Sequence, residues 1–144
     1  MDSGAGRNCA SPSDFPGVAV EPTDASRRGQ VFMGAGKGAK GIPNLGNMKC
    51  EMLVESGELG RVDFDAAEVR KPLLAVSSVN KKGNPVWFDG NASYTIPGNA
   101  ACLGKVRELL AAVPNKIPLH LENGTFKMRT WRKKGTAPFQ RQGP

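Results

Sequence analysis

Asp2-Ser3-Gly4-Ala5 is the stretch of this chain whose residue types could do hydrolytic chemistry. A carboxylate followed by Ser and Gly is common in turns. The same order also suits the working end of an enzyme whose front has been cut away, with Asp2 as the acid–base group. The other candidates are weaker. GAGKGAKG (34–41) suggests a phosphate loop, but Gly36-Lys37 is followed by Gly38 rather than Ser or Thr, and position 31 is Val. It reads as a turn or a flap. Asn91-Ala92-Ser93 and Asn123-Gly124-Thr125 are glycosylation sequons by pattern and turn asparagines by context. Cys9, Cys50 and Cys102 are far apart, and His120 is the only histidine. No CxxC pair exists, so neither a disulfide framework, a zinc site nor a thiol protease is expected, and no metal or cofactor.

The elements that would position these residues are mostly strands. Gly (18) and Pro (11) make up about a fifth of 144 residues, which favours many turns over a helical bundle. Residues 6–29 are rich in Ser, Pro and Gly and read as a long loop. Val31-Phe32-Met33, a glycine-rich turn and Ile42–Leu45 then read as a hairpin. Met48, Cys50, Met52 and Val54 alternate, as do Val62 and Phe64, which predicts half-buried strands. Pro72 opens an apolar run into a short helix near 76–82, ended by Gly83. Val86-Trp87-Phe88 and Tyr94-Thr95-Ile96 form strands around Asp89-Gly90-Asn91. A second helix is expected at 103–113, with Leu103, Val106, Leu109, Leu110 and Val113 on one face as core or interface. Ile117, Leu119 and Leu121, then Phe126, Met128 and Thr130, alternate about Asn123-Gly124 as a closing hairpin.

The net charge of +7 is uneven. Residues 114–144 carry seven basic residues against Glu122 alone, ending in a basic tail after Trp131. No apolar run approaches the ~20 residues that span a bilayer, and the first residues lack a signal-peptide pattern. No membrane partner is expected, and the cysteine usage suits a reducing, intracellular setting.

Four segments in order then resemble one family. Asp2-Ser3-Gly4-Ala5 matches the Asp-Ser/Thr-Gly-Ala of retropepsin-like aspartic proteases of retroviruses and retrotransposons. QVFMGAGKGAKGIPNLG resembles their flap, and VRKPLLAVSSVNKKGNPVWFD their apolar segment, helix and final strand. KPLLAVSSVNKKGNPVWFDGNASYTI is similar to the "PLLSV…G..V.FD..GSYI" stretch of copia-type Pol polyproteins, and ENGTFKMRTW to the segment that follows. The resemblance implies a mainly β, closed-barrel retropepsin-like domain over residues 1–96, lacking the strand before the Asp. A helix-plus-hairpin extension follows at 97–131, then a basic tail at 132–144. Ala75 stands where the family has Gly, and Lys37, Ala39 and Lys40 make the flap basic.

The implied activity is that of an endopeptidase acting on its own polyprotein, in the cytoplasm or an intracellular virus-like particle. Two carboxylates sharing one proton supply the base that activates water and the acid that protonates the carbonyl. A chain with one such motif builds that pair only as a homodimer, each copy giving Asp2. Ser3 would hydrogen-bond beside the carboxylates, and Gly4 would let the backbones pack closely. Met33, Gly34, Ala35, Gly36 and Lys37 would form the mobile, substrate-binding flap. Two alternatives stay open: a non-catalytic remnant of the same fold, and a small β-rich module whose basic tail makes weak contact with RNA or DNA.

Overall fold

The computed structural model describes residue 1 and residues 4–34 and 38–129. It is mainly β with a few short helices. The stretch 6–29 is more regular than its composition suggests. Strand β1 (Cys9–Ala10) is buried at both residues. Ser11 then begins a 3-10 turn over Pro12–Asp14, and the Asp14 carboxylate accepts the Ser11 N–H at 3.0 Å. Thr23 and Ser26 exchange the same kind of reciprocal bonds at the start of α1 (Asp24–Arg27). Such capping boxes satisfy N–H groups that a first turn leaves unpaired, so even very short helical turns hold.

The glycine-rich hairpin forms as expected, with β2 (Val31–Phe32) antiparallel to β3 (Ile42–Pro43). The centre of the molecule is the longer hairpin of β4 (Gly46–Leu53) and β5 (Leu59–Ala66). Its register sets Met48 opposite Phe64 and Cys50 opposite Val62. The period of two therefore sends these four side chains to one face. β1 pairs parallel to β5 on its other edge, giving a three-stranded sheet in the order β1-β5-β4. Ala10, Met48, Cys50, Phe64 and Ala66 form the core, with Phe15, Val18 and Val20 packed over it. The Phe15 ring stacks on Phe64 with centroids 5.3 Å apart. This coverage requires the 18–21 segment to lie against β4. Gly46 (φ +140°) makes that approach feasible, because a Cβ there would strike the Glu21 carbonyl.

The remaining elements are α2 (Val76–Lys81), the antiparallel pair β6 (Val86–Trp87) and β7 (Tyr94–Thr95), α3 (Leu103–Ala112), and the hairpin of β8 (Leu119–Glu122) and β9 (Thr125–Met128). Both expected helices and both expected strand pairs are present.

The expected closed barrel is not. Among the described residues there is one three-stranded sheet and three separate two-stranded ones. Closure needs every strand paired on both edges. Among the described residues the outer edge of β4 is paired only where Glu21 bridges Asn47, and two-residue ladders such as β2–β3 and β6–β7 are too short to carry pairing around a barrel. The apolar stripe of α3 also differs from a core face. Leu103 is buried, whereas Leu109 and Leu110 are 64% and 40% exposed. The helix is set by its own periodicity, but the described residues supply no layer that buries Leu109 and Leu110.

Candidate functional site

The predicted motif divides between described and undescribed residues. Asp2 and Ser3 lie outside the described residues, as do Ala35, Gly36 and Lys37 of the flap. Gly4, Met33 and Gly34 lie within them. Met33 and Gly34 follow β2, with Met33 69% exposed and Gly34 facing Ala39 across the hairpin. No hydrogen bond or ion pair among the described residues joins them to Arg7 or Asn8.

The chain leaving the motif is firmly held. Arg7 donates from Nε and Nη2 to the two carboxylate oxygens of Asp65, at 2.5 and 3.0 Å. This bidentate geometry suits a planar guanidinium. The Asp65 side chain is only 9% exposed, so the pair also satisfies a buried charge. Asn8 bonds in two directions. Its Oδ1 accepts the Ala75 N–H at 2.9 Å, and its Nδ2 donates to the Asp63 carbonyl at 3.1 Å. Cys9 exchanges backbone hydrogen bonds with Leu73 at 3.0 and 2.7 Å, while the Asn8 carbonyl accepts from the Asp65 N–H. Residues 7–10 are thus threaded between β5 and the Leu73–Ala75 segment.

On the other side of the motif, the Met1 sulfur accepts from the Thr95 hydroxyl at 3.8 Å. Met1 also lines an apolar cavity of about 300 Å³ with Met52, Val54, Val62, Leu74 and Val79. A second, polar cavity of about 350 Å³ is bounded by Gly6, Arg7, Asn8, Asp63, Asp65 and Lys81. Both are near the lower end of volumes that hold small ligands. Met1, which precedes the motif in the chain, lines the apolar cavity, and Gly6, which follows it, lines the charged one.

Burial pushes the Cys9 thiol up from its ordinary pKa of 9.0; the nearby Asp65 carboxylate adds to this and Arg7 opposes it. Burial, then Asp63, does the same to Cys50. Both stay protonated at neutral pH and are poor nucleophiles. Cys102 is free and exposed. Among the described residues, no three His, Cys, Asp or Glu side chains converge as a metal ion would require. No helix there is long and apolar enough to cross a membrane.

Sequence reasoning alone overlooked Arg7, Asn8, Asp63 and Asp65. The signal was present in Asp63-Phe64-Asp65. Two carboxylates flanking a core phenylalanine at i and i+2 share the face opposite the core, and a buried one there needs a cation. Comparison with protein-family models, with curated proteins and with solved structures finds no match to this chain.

Proposed function

We propose that this chain is a retropepsin-like aspartic endopeptidase domain of a retrotransposon polyprotein, working as a homodimer through Asp2 of each copy. The observation that carries the reading is the threading of residues 7–10 between β5 and Leu73–Ala75. It holds the chain that leaves the Asp-Ser-Gly-Ala motif against the Pro72–Val76 apolar segment. These are two of the segments on which the resemblance rests, and they are more than 60 positions apart in the chain. The glycine-rich β2–β3 hairpin supplies the third.

The chemistry follows from the pair. Two adjacent carboxylates resist joint ionisation, so one stays protonated while the other is a base. The ionised member takes a proton from water, and the oxygen attacks the peptide carbonyl. The protonated member donates to the carbonyl oxygen, and the tetrahedral intermediate then collapses with a proton delivered to the leaving amine. The apolar cavity beside Met1 is of a size to accept a substrate side chain.

The test is cleavage of a peptide library at mildly acid pH by the parent and by Asp2→Asn. Cleavage by the parent that Asp2→Asn abolishes, with far-UV circular dichroism unchanged, is the expected result. Equal cleavage by both sinks the mechanism. Cleavage by neither leaves the non-catalytic remnant as the better reading.

A further inference from the structure

The Asn123-Gly124 turn between β8 and β9 lies directly on Gly6, the residue that follows the motif. A Cβ built on Gly124 would be 2.5 Å from the Gly6 carbonyl oxygen and 2.9 Å from the Gly6 Cα. A Cβ on Gly6 would be 3.3 Å from the Asn123 carbonyl oxygen. Two backbones meet here with no side chain between them. Asn123 (φ +51°) and Gly124 (φ +80°) both take the left-handed conformation of a tight hairpin turn. That geometry presents bare backbone at the tip.

From the turn along β9, burial is concentrated at the same end. Gly124, Thr125 and Phe126 are half-buried, whereas Leu119, Leu121 and Met128 are 62%, 45% and 53% exposed. A lone two-stranded hairpin is marginal in water, so docking at the tip also stabilises the hairpin itself.

We propose that the β8–β9 hairpin is a strap whose turn clamps Gly6 and thereby orders residues 4–8, the segment that follows Asp2 and Ser3 in the chain. The extension at 97–131 is then a working part of the site rather than an appendage. The strap closes a loop whose other anchors, Arg7–Asp65 and Asn8–Ala75, come from the body of the fold. Its catalytic consequence rests on the aspartic reading above; its structural consequence does not.

The test is amide hydrogen exchange of the full chain, followed in peptides covering residues 4–8. In Gly124→Ala the new methyl must push the turn off Gly6. Gly57→Ala is the control. Gly57 also has a positive φ (+85°) in a hairpin turn, but a Cβ there meets nothing. The expected result is exchange about tenfold faster at residues 4–8 in Gly124→Ala and unchanged in Gly57→Ala. Gly6→Ala, whose backbone needs no positive φ, gives a smaller rise and covers the case in which Gly124→Ala does not fold. Unchanged exchange at 4–8 in both Gly124→Ala and Gly6→Ala overturns the strap, as does an equal rise in Gly57→Ala. In the cleavage assay Gly124→Ala lowers kcat about tenfold with KM nearly constant, because a displaced loop misplaces the reacting carboxylate. An equal rise in KM at constant kcat overturns the positioning role. If the parent cleaves nothing while the exchange result holds, the strap stands and the aspartic reading falls.

Discussion

The β4–β5 and β8–β9 hairpins share one plan, alternating apolar residues about a glycine-containing turn, yet their fates differ. Met48, Cys50 and Phe64 are no more than 2% exposed, whereas Leu119 and Leu121 are 62% and 45% exposed. Strand propensity and turn chemistry do not separate them. What separates them is the neighbouring layer. β4–β5 has a third strand on one edge and the Phe15–Val20 segment across its apolar face. Among the described residues β8–β9 is a sheet of two strands, with a backbone contact at its tip. Alternation specifies which side chains share a face; burial requires something opposite that face.

Stability measurements can break this comparison. Phe64→Ala should cost about 3–5 kcal/mol in urea denaturation, because a fully packed ring leaves a cavity. Leu121→Ala should cost less than about 0.5 kcal/mol, as an exposed site does. Similar losses at the two sites would mean that the hairpins are equally packed in solution.

The approach of residues 18–21 to β4 gives the next effect. Gly46→Ala forces a side chain onto the Glu21 backbone at a positive φ and should cost more than about 2 kcal/mol. Gly57→Ala, strained in φ alone, should cost about 1 kcal/mol. Equal costs would show that the covering segment yields easily.

Arg7→Ala should cost about 1–2 kcal/mol by thermal unfolding. The Asp65 carboxylate it leaves is nearly buried, but Arg7 itself is 55% exposed and partly screened. Arg61→Ala breaks a pair whose side chains are 79% and 56% exposed and should change stability by less than about 0.5 kcal/mol.

The smallest effect is a pH dependence. The pKa values of Cys9 and Cys50 are raised in the folded state above the ordinary 9.0. The folded state therefore holds these protons more tightly than the unfolded one. Their contribution to stability is full below pH 9 and is lost as pH rises through the folded-state values. Cys9→Ala or Cys50→Ala should flatten this alkaline loss, and Cys102→Ala should not. At neutral pH a disulfide reagent should modify Cys102 quickly and the other two only as the protein opens.

Much of the architecture was legible. The helices at Val76–Lys81 and Leu103–Ala112 follow from apolar spacing and their stop residues, and the strands of β4–β5 and β8–β9 from a period of two. The strand and turns within 6–29 were not read from composition, although Ser11-x-x-Asp14 and Thr23-x-x-Ser26 carry capping signals. β1 is a two-residue strand made by its neighbours. Cys9-Ala10 has no period of its own and is extended because β5 and Leu73 both bond to it. Of the candidate site, the motif and the flap glycines were legible as residue types. The Arg7–Asp65 and Asn8–Ala75 partnerships were not, because each joins positions about 60 residues apart and no local pattern encodes such a pairing.

The sequence by itself determined the local choices: where the chain turns, which residues alternate, where helices stop, and that one Asp-Ser-Gly-Ala motif is present. Those depend on backbone sterics and short-range hydrogen bonds, which a few adjacent residues control. Only the tertiary structure decided which apolar faces are covered, that the sheet stays open at β4, and that Gly124 reaches Gly6. Each of these depends on the meeting of segments far apart in the chain, where packing and charge satisfaction outweigh local preference.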